Sequence, residues 1–436
     1  MLEKTIHRIL YVLLLGASSL SFGQSTLSLE QCIEIALQNN PNVHRAELLY
    51  EKDKIDRRQA WWNALPSVET DIGHGWSQGR NIDPTTNQFI EQTISSGNAS
   101  LSAGMYLFNG FKVFHDIKQK AAAKTAGKLT YESEKEVLTL DIIEAYITIL
   151  TAKDLLQQAE NQLILAYEQL QQAEILQSEG NIDPGDYHDI KGEYNENENA
   201  VTTAKQNLYH SRIKLAGLLH LPENELPELQ PLPISESPAA KNPDQLFEKG
   251  KNRPFYALWD WRIKEAQQYI KVAQSAYYPS LSISAGMDTR YSNSSDLSYS
   301  QQYKNNFGKY VSLNLNIPIF NGLQSRNNVK KAKIDLRDVE WQKEIAKNDL
   351  REATAKTVFD IATAEKSYKR LEKQEENYRE SFRIAQAKFD LGASNSVMLL
   401  TAKNKWENSK NQLVIKQYEW VLQSYLNDYY LGELTF

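Results

Sequence analysis

From Tyr310 to Ile319 the chain alternates without a break: Val311, Leu313, Leu315, Ile317 and Ile319 are apolar, and Ser312, Asn314 and Asn316 between them are polar. Only an extended strand sends successive side chains to opposite faces, so the stretch predicts a strand with one greasy and one wet side. At Phe320-Asn321-Gly322 the period changes and a long helical stretch begins. An earlier copy of the pattern runs through Ala99, Leu101, Ala103, Met105 and Leu107, then reaches Leu107-Phe108-Asn109-Gly110 and a second long helical stretch. Two further alternating runs follow prolines: Val68, Thr70, Ile72, His74 and Trp76 after Pro66, and Leu281, Ile283, Ala285 and Met287 after Pro279. Four strands of this kind, each about nine to eleven residues long, match the thickness of a bilayer core.

The landmarks recur at fixed spacing. Pro41 and Pro254, like Pro66 and Pro279, are 213 positions apart, while Gly110 and Gly322, like Gly180 and Gly392, are 212 apart. Register kept over so long a span implies an internal duplication. The expected organisation is a first repeat at 24–220, with strands at 66–77 and 98–109 and a helical hairpin tip near 180–186. A Pro-rich segment at 221–243 follows, then a second repeat at 244–436, with strands at 279–291 and 309–320 and a tip near 392–397. Residues 77–97 and 292–306 read as exposed polar loops. The first long helix, expected from Phe111 to Leu176, carries an apolar seam at Leu138, Ile142, Ala145, Ile149, Ala152, Leu156, Ala159, Leu163, Ala166, Leu170 and Ala173. That spacing of four and three is the heptad stripe of a coiled coil. Its counterpart is expected from Leu323 to Phe389. Ahead of both repeats, Lys4 and Arg8, the apolar run Ile9–Leu15 and Ser21-Phe22-Gly23 have the form of a secretory signal peptide over residues 1–23.

No internal apolar run approaches the roughly 18–20 residues of a spanning helix, so strands must cross any bilayer. A spanning sheet has to close on itself because hydrocarbon offers no partner for an unpaired backbone group. Four strands are too few, whereas three copies would supply about twelve and leave a channel. Trp61, Trp62, Tyr277, Tyr278, Phe108 and Phe320 fall where helix meets strand, either as an interfacial girdle or as packing in a crowded joint. A net charge of −6 without a basic block excludes nucleic acid as a partner. The histidines lie in different elements without zinc-ligand spacing, and no phosphate-binding glycine loop occurs, so neither an enzyme, a cofactor nor a resident metal is expected. Cys32, the single cysteine, reads as a buried structural thiol.

The two-fold repeat, the junctions Leu107-Phe108-Asn109-Gly110 and Pro318-Ile319-Phe320-Asn321-Gly322, and the stretch Phe389–Ala402 together resemble the TolC family of outer-membrane efflux proteins. The resemblance implies a mostly helical mixed fold with four transmembrane strands per protomer in a homotrimeric twelve-stranded barrel and long coiled-coil helices forming a periplasmic α-barrel. It also implies a passive exit duct for efflux or type I secretion, served by a periplasmic adaptor and an inner-membrane pump. Its closed end falls at the tips Gly180–Asp189 and Gly392–Thr401. There Asp186 stands where the family places a gate carboxylate, with Asp183 close by, and both read either as pore carboxylates or as caps of the return helix's N-terminus. Ser394 stands where a gate-linking arginine occurs, and Met398 and Thr401 where further carboxylates occur. Pro66, Phe108, Gly110, Pro279, Pro318, Phe320 and Gly322 mark the barrel-to-helix junctions. The competing reading is a soluble periplasmic coiled-coil adaptor with a conventional β-domain, which would not need an apolar outer face on all four strands.

Overall fold

A computed structural model describes residues 26–82, 87–91, 93–233 and 242–434. The signal peptide expected at 1–23 and residues 234–241 of the Pro-rich segment lie outside them. In chain order the main elements are α1 (Leu29–Asn39), α2 (Pro41–Trp62), β1 (Ser67–Ser77), β2 (Arg80–Ile82), β3 (Phe89–Glu91), β4 (Ile94–Asn109), α3 (Lys112–Ser178) and α4 (Pro184–Leu219). They continue with α5 (Pro243–Gly250), α6 (Pro254–Gln274), β5 (Ser280–Ser292), α7 (Tyr299–Asn305), β6 (Gly308–Asn316), α8 (Gln324–Asp390) and α9 (Ser396–Leu431). The duplication is visible in the elements themselves: α3 and α8 are each 67 residues long, and α4 and α9 are each 36. Contacts divide the chain into a strand unit, 44–134 with 251–351, and a hairpin unit formed by the remainder.

In the strand unit, β1, β4, β5 and β6 form one antiparallel sheet in the order β1-β4-β5-β6. Val68 pairs with Ala103, Ala103 with Ala285 and Ala285 with Val311, so the apolar residues of all four strands share a face. Strand β6 ends at Asn316, four residues short of the expected 309–320. The ladder stops there because β5 begins at Ser280, opposite Asn316, and Pro318 has no N–H to donate. Ile317, Pro318, Ile319 and Phe320 therefore belong to the segment that leads into α8 rather than to the strand. Strand β4 starts early, at Ile94, and the expected loop at 77–97 contains the short hairpin β2–β3.

The second expected loop also differs. It holds the seven-residue helix α7, closed by a capping box between Ser298 and Gln301. Gln302, buried, accepts from Ser292 N at 2.9 Å and donates to Leu297 O at 2.8 Å. Thr289 Oγ1 donates to Tyr303 O, and the rings of Tyr291, Tyr299 and Tyr303 stack in sequence at 4.5 and 4.6 Å. Thr289 and Tyr291 continue the row of Met287, so α7 rests on the apolar side of the sheet. A composition of Ser, Asn and Tyr hid this helix, because its fold is decided by long-range anchors.

The hairpin unit owes its packing to the predicted seam. Leu138, Ile142, Ala145, Ile149, Ala159, Ala166, Leu170 and Ala173 are all buried, with Ala152, Leu156 and Leu163 half-buried between them. In α1, Cys32 is fully buried, and desolvation pushes its thiol up to about 12. Buried Tyr146 donates its hydroxyl to Leu27 O and Gln230 O, at 3.0 and 2.7 Å. These two carbonyls belong to strands of a parallel bridge, Leu27 with Leu229, by which the Pro-rich segment is tied to the start of α1.

Candidate functional site

The sheet presents two unlike faces. On one side Val68, Ile72, Leu101, Val311, Leu313 and Leu315 lie exposed, with Ile72 at 79% and Leu313 at 65%. On the other, Glu69, Asp71, Ser100, Ser102, Ser284, Asp288, Arg290, Ser312 and Asn314 form polar rows. Asn98 Nδ2 donates to Asp71 Oδ1 at 2.8 Å across one such row. Strands β1 and β6 are the sheet's edges, each with one side of its ladder unpaired. An apolar face of this extent, bounded by two open edges, is not a stable surface in water.

The junction residues fall in related places in the two repeats. Pro66 and Pro279 directly precede β1 and β5, and Phe108 sits at a register shift near the end of β4. Both Gly110-Phe111 and Gly322-Leu323 adopt paired positive φ, between 62° and 66°, and so turn strand into helix by the same backbone path. Trp61, Trp62, Tyr277, Tyr278 and Phe320 are all about half exposed or more, and Phe108 packs edge-on against Phe111 at 5.3 Å.

At the hairpin tips, Gly180 and Gly392 end α3 and α8 with φ of +72° and +68°. Asp183 caps α4, accepting from Gly185 N at 2.7 Å, with Pro184 at the first helical position. Asp186 and Asp189, one turn apart, converge on one residue of the other repeat: Ser396 N donates to Asp186 Oδ1 at 3.0 Å and Ser396 Oγ to Asp189 Oδ2 at 2.8 Å. Ser396 is fully buried in this clasp, Ser394 is half-buried, and Met398 is 65% exposed. Asn395 caps α9, accepting from Met398 N. Apolar packing backs the clasp, since Phe389 of α8 reaches the cluster of Leu170, Ala173 and Ile190.

About two turns further along, Lys403 of α9 lies completely buried. Its ammonium donates to Glu193 Oε1 of α4 at 3.1 Å and stands 3.8 Å from Glu407 Oε1. Asn197 Nδ2 also donates to Glu193, at 3.2 Å to the carboxylate and 2.8 Å to the backbone. Burial pushes Glu407 up to about 7 against the opposing pull of Lys403. Sequence reading missed this group because its members come from helices 210 positions apart and each lies in a charged stretch, Glu193 near Glu196 and Lys403 near Lys405, that reads as a solvated face. The available signal was Lys403 standing four residues after Leu399, in the apolar stripe of its own helix.

Set against known proteins, residues 32–219 and 251–425 match the outer membrane efflux protein family. Outer membrane protein TolC of Salmonella enteritidis is 22% identical over 443 residues, spanning 100% of this chain and 87% of that protein. The Campylobacter jejuni CmeC outer membrane channel shares the fold with a TM-score of 0.81 at 15% identity, over 95% of this chain and 91% of that one. The outer membrane protein VceC of Vibrio cholerae does so with a TM-score of 0.80 at 15% identity, over 93% and 96%.

Proposed function

The chain belongs to the outer membrane efflux protein family, and from that premise we propose that three copies form an exit duct in the outer membrane, passive in itself and driven by a partner pump. The observation that carries this reading is the four-stranded sheet whose apolar face leaves Val68, Ile72, Leu101, Val311, Leu313 and Leu315 exposed and whose two edges are open. Joining β6 of one copy to β1 of the next satisfies both edges, places Val311 and Leu313 in lipid and turns Ser312, Asn314 and Asp71 toward water. The helical part then stands in the periplasm, where its tips offer a surface to an adaptor. Repeats 24–220 and 244–436 act as two staves of one wall, and Asp186 with its neighbours closes the narrow end.

The clasp between Asp186, Asp189 and Ser396 gives that end a concrete latch. Two charge-assisted hydrogen bonds join the first hairpin to the second, so loosening them frees one hairpin to move. In planar bilayers the mature protein should give discrete conductances, and Asp186→Ala should raise the open fraction several-fold. A pure trimer that never conducts, with or without that substitution, would overturn the duct. The soluble-adaptor reading has no observation in its favour, because it leaves the apolar face without a partner.

A further inference from the structure

Next to the apolar face, the helices of the strand unit turn strongly basic on one side. Arg57 of α2, Lys118, Lys124 and Lys128 of α3 and Lys264 of α6 line one hollow, and Lys54 and Arg58 join Arg57, Lys124 and Trp61 around a second. Among the described residues no carboxylate lines either hollow. Asp53, Asp56, Asp116 and Glu265 lie nearby, outside both linings, and Asp56 is paired with Lys120 at 2.8 Å. The rings of Tyr50, Phe114 and Trp261 lie under the ammonium groups of Lys54, Lys118 and Lys264 at 4.3, 4.1 and 3.9 Å. Those contacts fix the cations in place without neutralising them. In a chain of net charge −6, so many cations on one surface are not a matter of composition.

Helix geometry says which side this is. The polar rows of the sheet continue into a different hollow, where Tyr106, Ser280 and Asn316 meet Lys112 and Tyr269. At about 100° per residue, Lys118 lies about 240° round α3 from Lys112, and Lys264 about 140° round α6 from Tyr269. The basic groove therefore belongs to the side that carries the apolar strand residues. Along α2 toward the sheet the order is Lys54, then Arg57 and Arg58, then the exposed Trp61 and Trp62, then Val68 of β1. Running back along α3 it is Lys124, Lys118, Phe114, Phe111 and then Leu107 of β4. Along both helices cations give way to rings in steps of about 5–9 Å, and the hydrocarbon-facing side chains follow past the turn, the order a protein presents to a membrane surface.

We infer that this basic collar binds the phosphate-bearing headgroups of anionic phospholipids in the periplasmic leaflet of the outer membrane. The inference rests on the duct reading, and it adds a binding site with a stated ligand. The occupant follows from continuity with the lipid face and from charge, since each Lys or Arg near a headgroup layer adds attraction that free anions in bulk water do not share.

Native mass spectrometry of the full-length protein in detergent, titrated with dioleoyl phosphatidylglycerol, dioleoyl phosphatidylcholine or inorganic phosphate, tests it. Wild-type protein should retain phosphatidylglycerol in preference to phosphatidylcholine, and millimolar inorganic phosphate should not displace it. The fourfold variant Arg57→Gln, Arg58→Gln, Lys118→Gln, Lys124→Gln should lose at least about ten-fold in phosphatidylglycerol retention, while Arg57→Lys with Arg58→Lys keeps it and so separates lost charge from lost fold. Equal retention of the two lipids, unchanged binding by the fourfold variant, or displacement by phosphate alone would overturn the collar. Conductance measured on the same preparations keeps the two ideas apart: a wild-type channel that conducts but shows no lipid preference sinks the collar only, and one that never conducts sinks the duct.

Discussion

Lys403 is buried in the contact between α4 and α9 against Glu193 and Glu407, and its stability effect depends on keeping both partners. Removing one member of a buried pair leaves the other charge desolvated and costs about 3–5 kcal/mol. Lys403→Met should therefore loosen the hairpin unit by about that much, read as a lowered denaturant midpoint and faster hydrogen exchange in α4 and α9. Glu407 adds a pH dependence. Its folded value of about 7 lies above the ordinary glutamate value of 4.5, so the native state holds this proton more tightly than the unfolded one. Its stabilising contribution is complete below about pH 4.5 and is lost as pH rises through about 7, a change of up to about 3 kcal/mol. Glu407→Gln should flatten that slope between pH 4.5 and 7; an unchanged slope in the variant would assign it to another group.

The strand-to-helix turns and the strands themselves make separate predictions. Gly110 and Gly322 share a positive φ, but their surroundings differ. A Cβ on Gly110 would meet Ser275 O at 2.6 Å and Tyr278 Cβ at 2.9 Å, whereas one on Gly322 meets nothing within 4 Å. Gly322→Ala should cost only the backbone strain of about 1–2 kcal/mol, and Gly110→Ala should add an overpacking penalty of about 1–3 kcal/mol. Thermal unfolding of the two variants should rank them in that order. On β6, Leu313→Arg places a charge on the lipid face and should cost about 2–4 kcal/mol near mid-membrane, while Ser312→Arg on the polar face should assemble normally and shift ion selectivity toward anions. Equal assembly of both variants would mean that the face carrying Leu313 is not in lipid.

For the molecule as a whole, the duplication lets two similar sequences build four strands whose apolar residues share one face, and leaves two edges that a single chain has no means to satisfy. Much of this was legible in residue order, because side-chain period is a local property. A period of two marked the strands through Val68, Leu101, Leu281 and Leu313, the heptad seam marked α3, and the spacing of glycines and prolines marked the repeat. Termination was less legible: β6 stops at Asn316 because its neighbour begins at Ser280, a fact about pairing and not about Ile317 or Ile319. The helix α7, the clasp of Ser396 with Asp186 and Asp189 and the basic groove were not legible at all, and the burial of Lys403 was marked only by its place in an apolar stripe four residues after Leu399. Each joins side chains from separate elements, more than 200 positions apart for the clasp, and no local period encodes such a meeting. What the chain's order determined alone was which side of each element is apolar, since that is written in successive residues. Which polar groups face each other, and which are thereby desolvated, paired or gathered into one field, was decided only by packing, because hydrogen bonds and charges act through space.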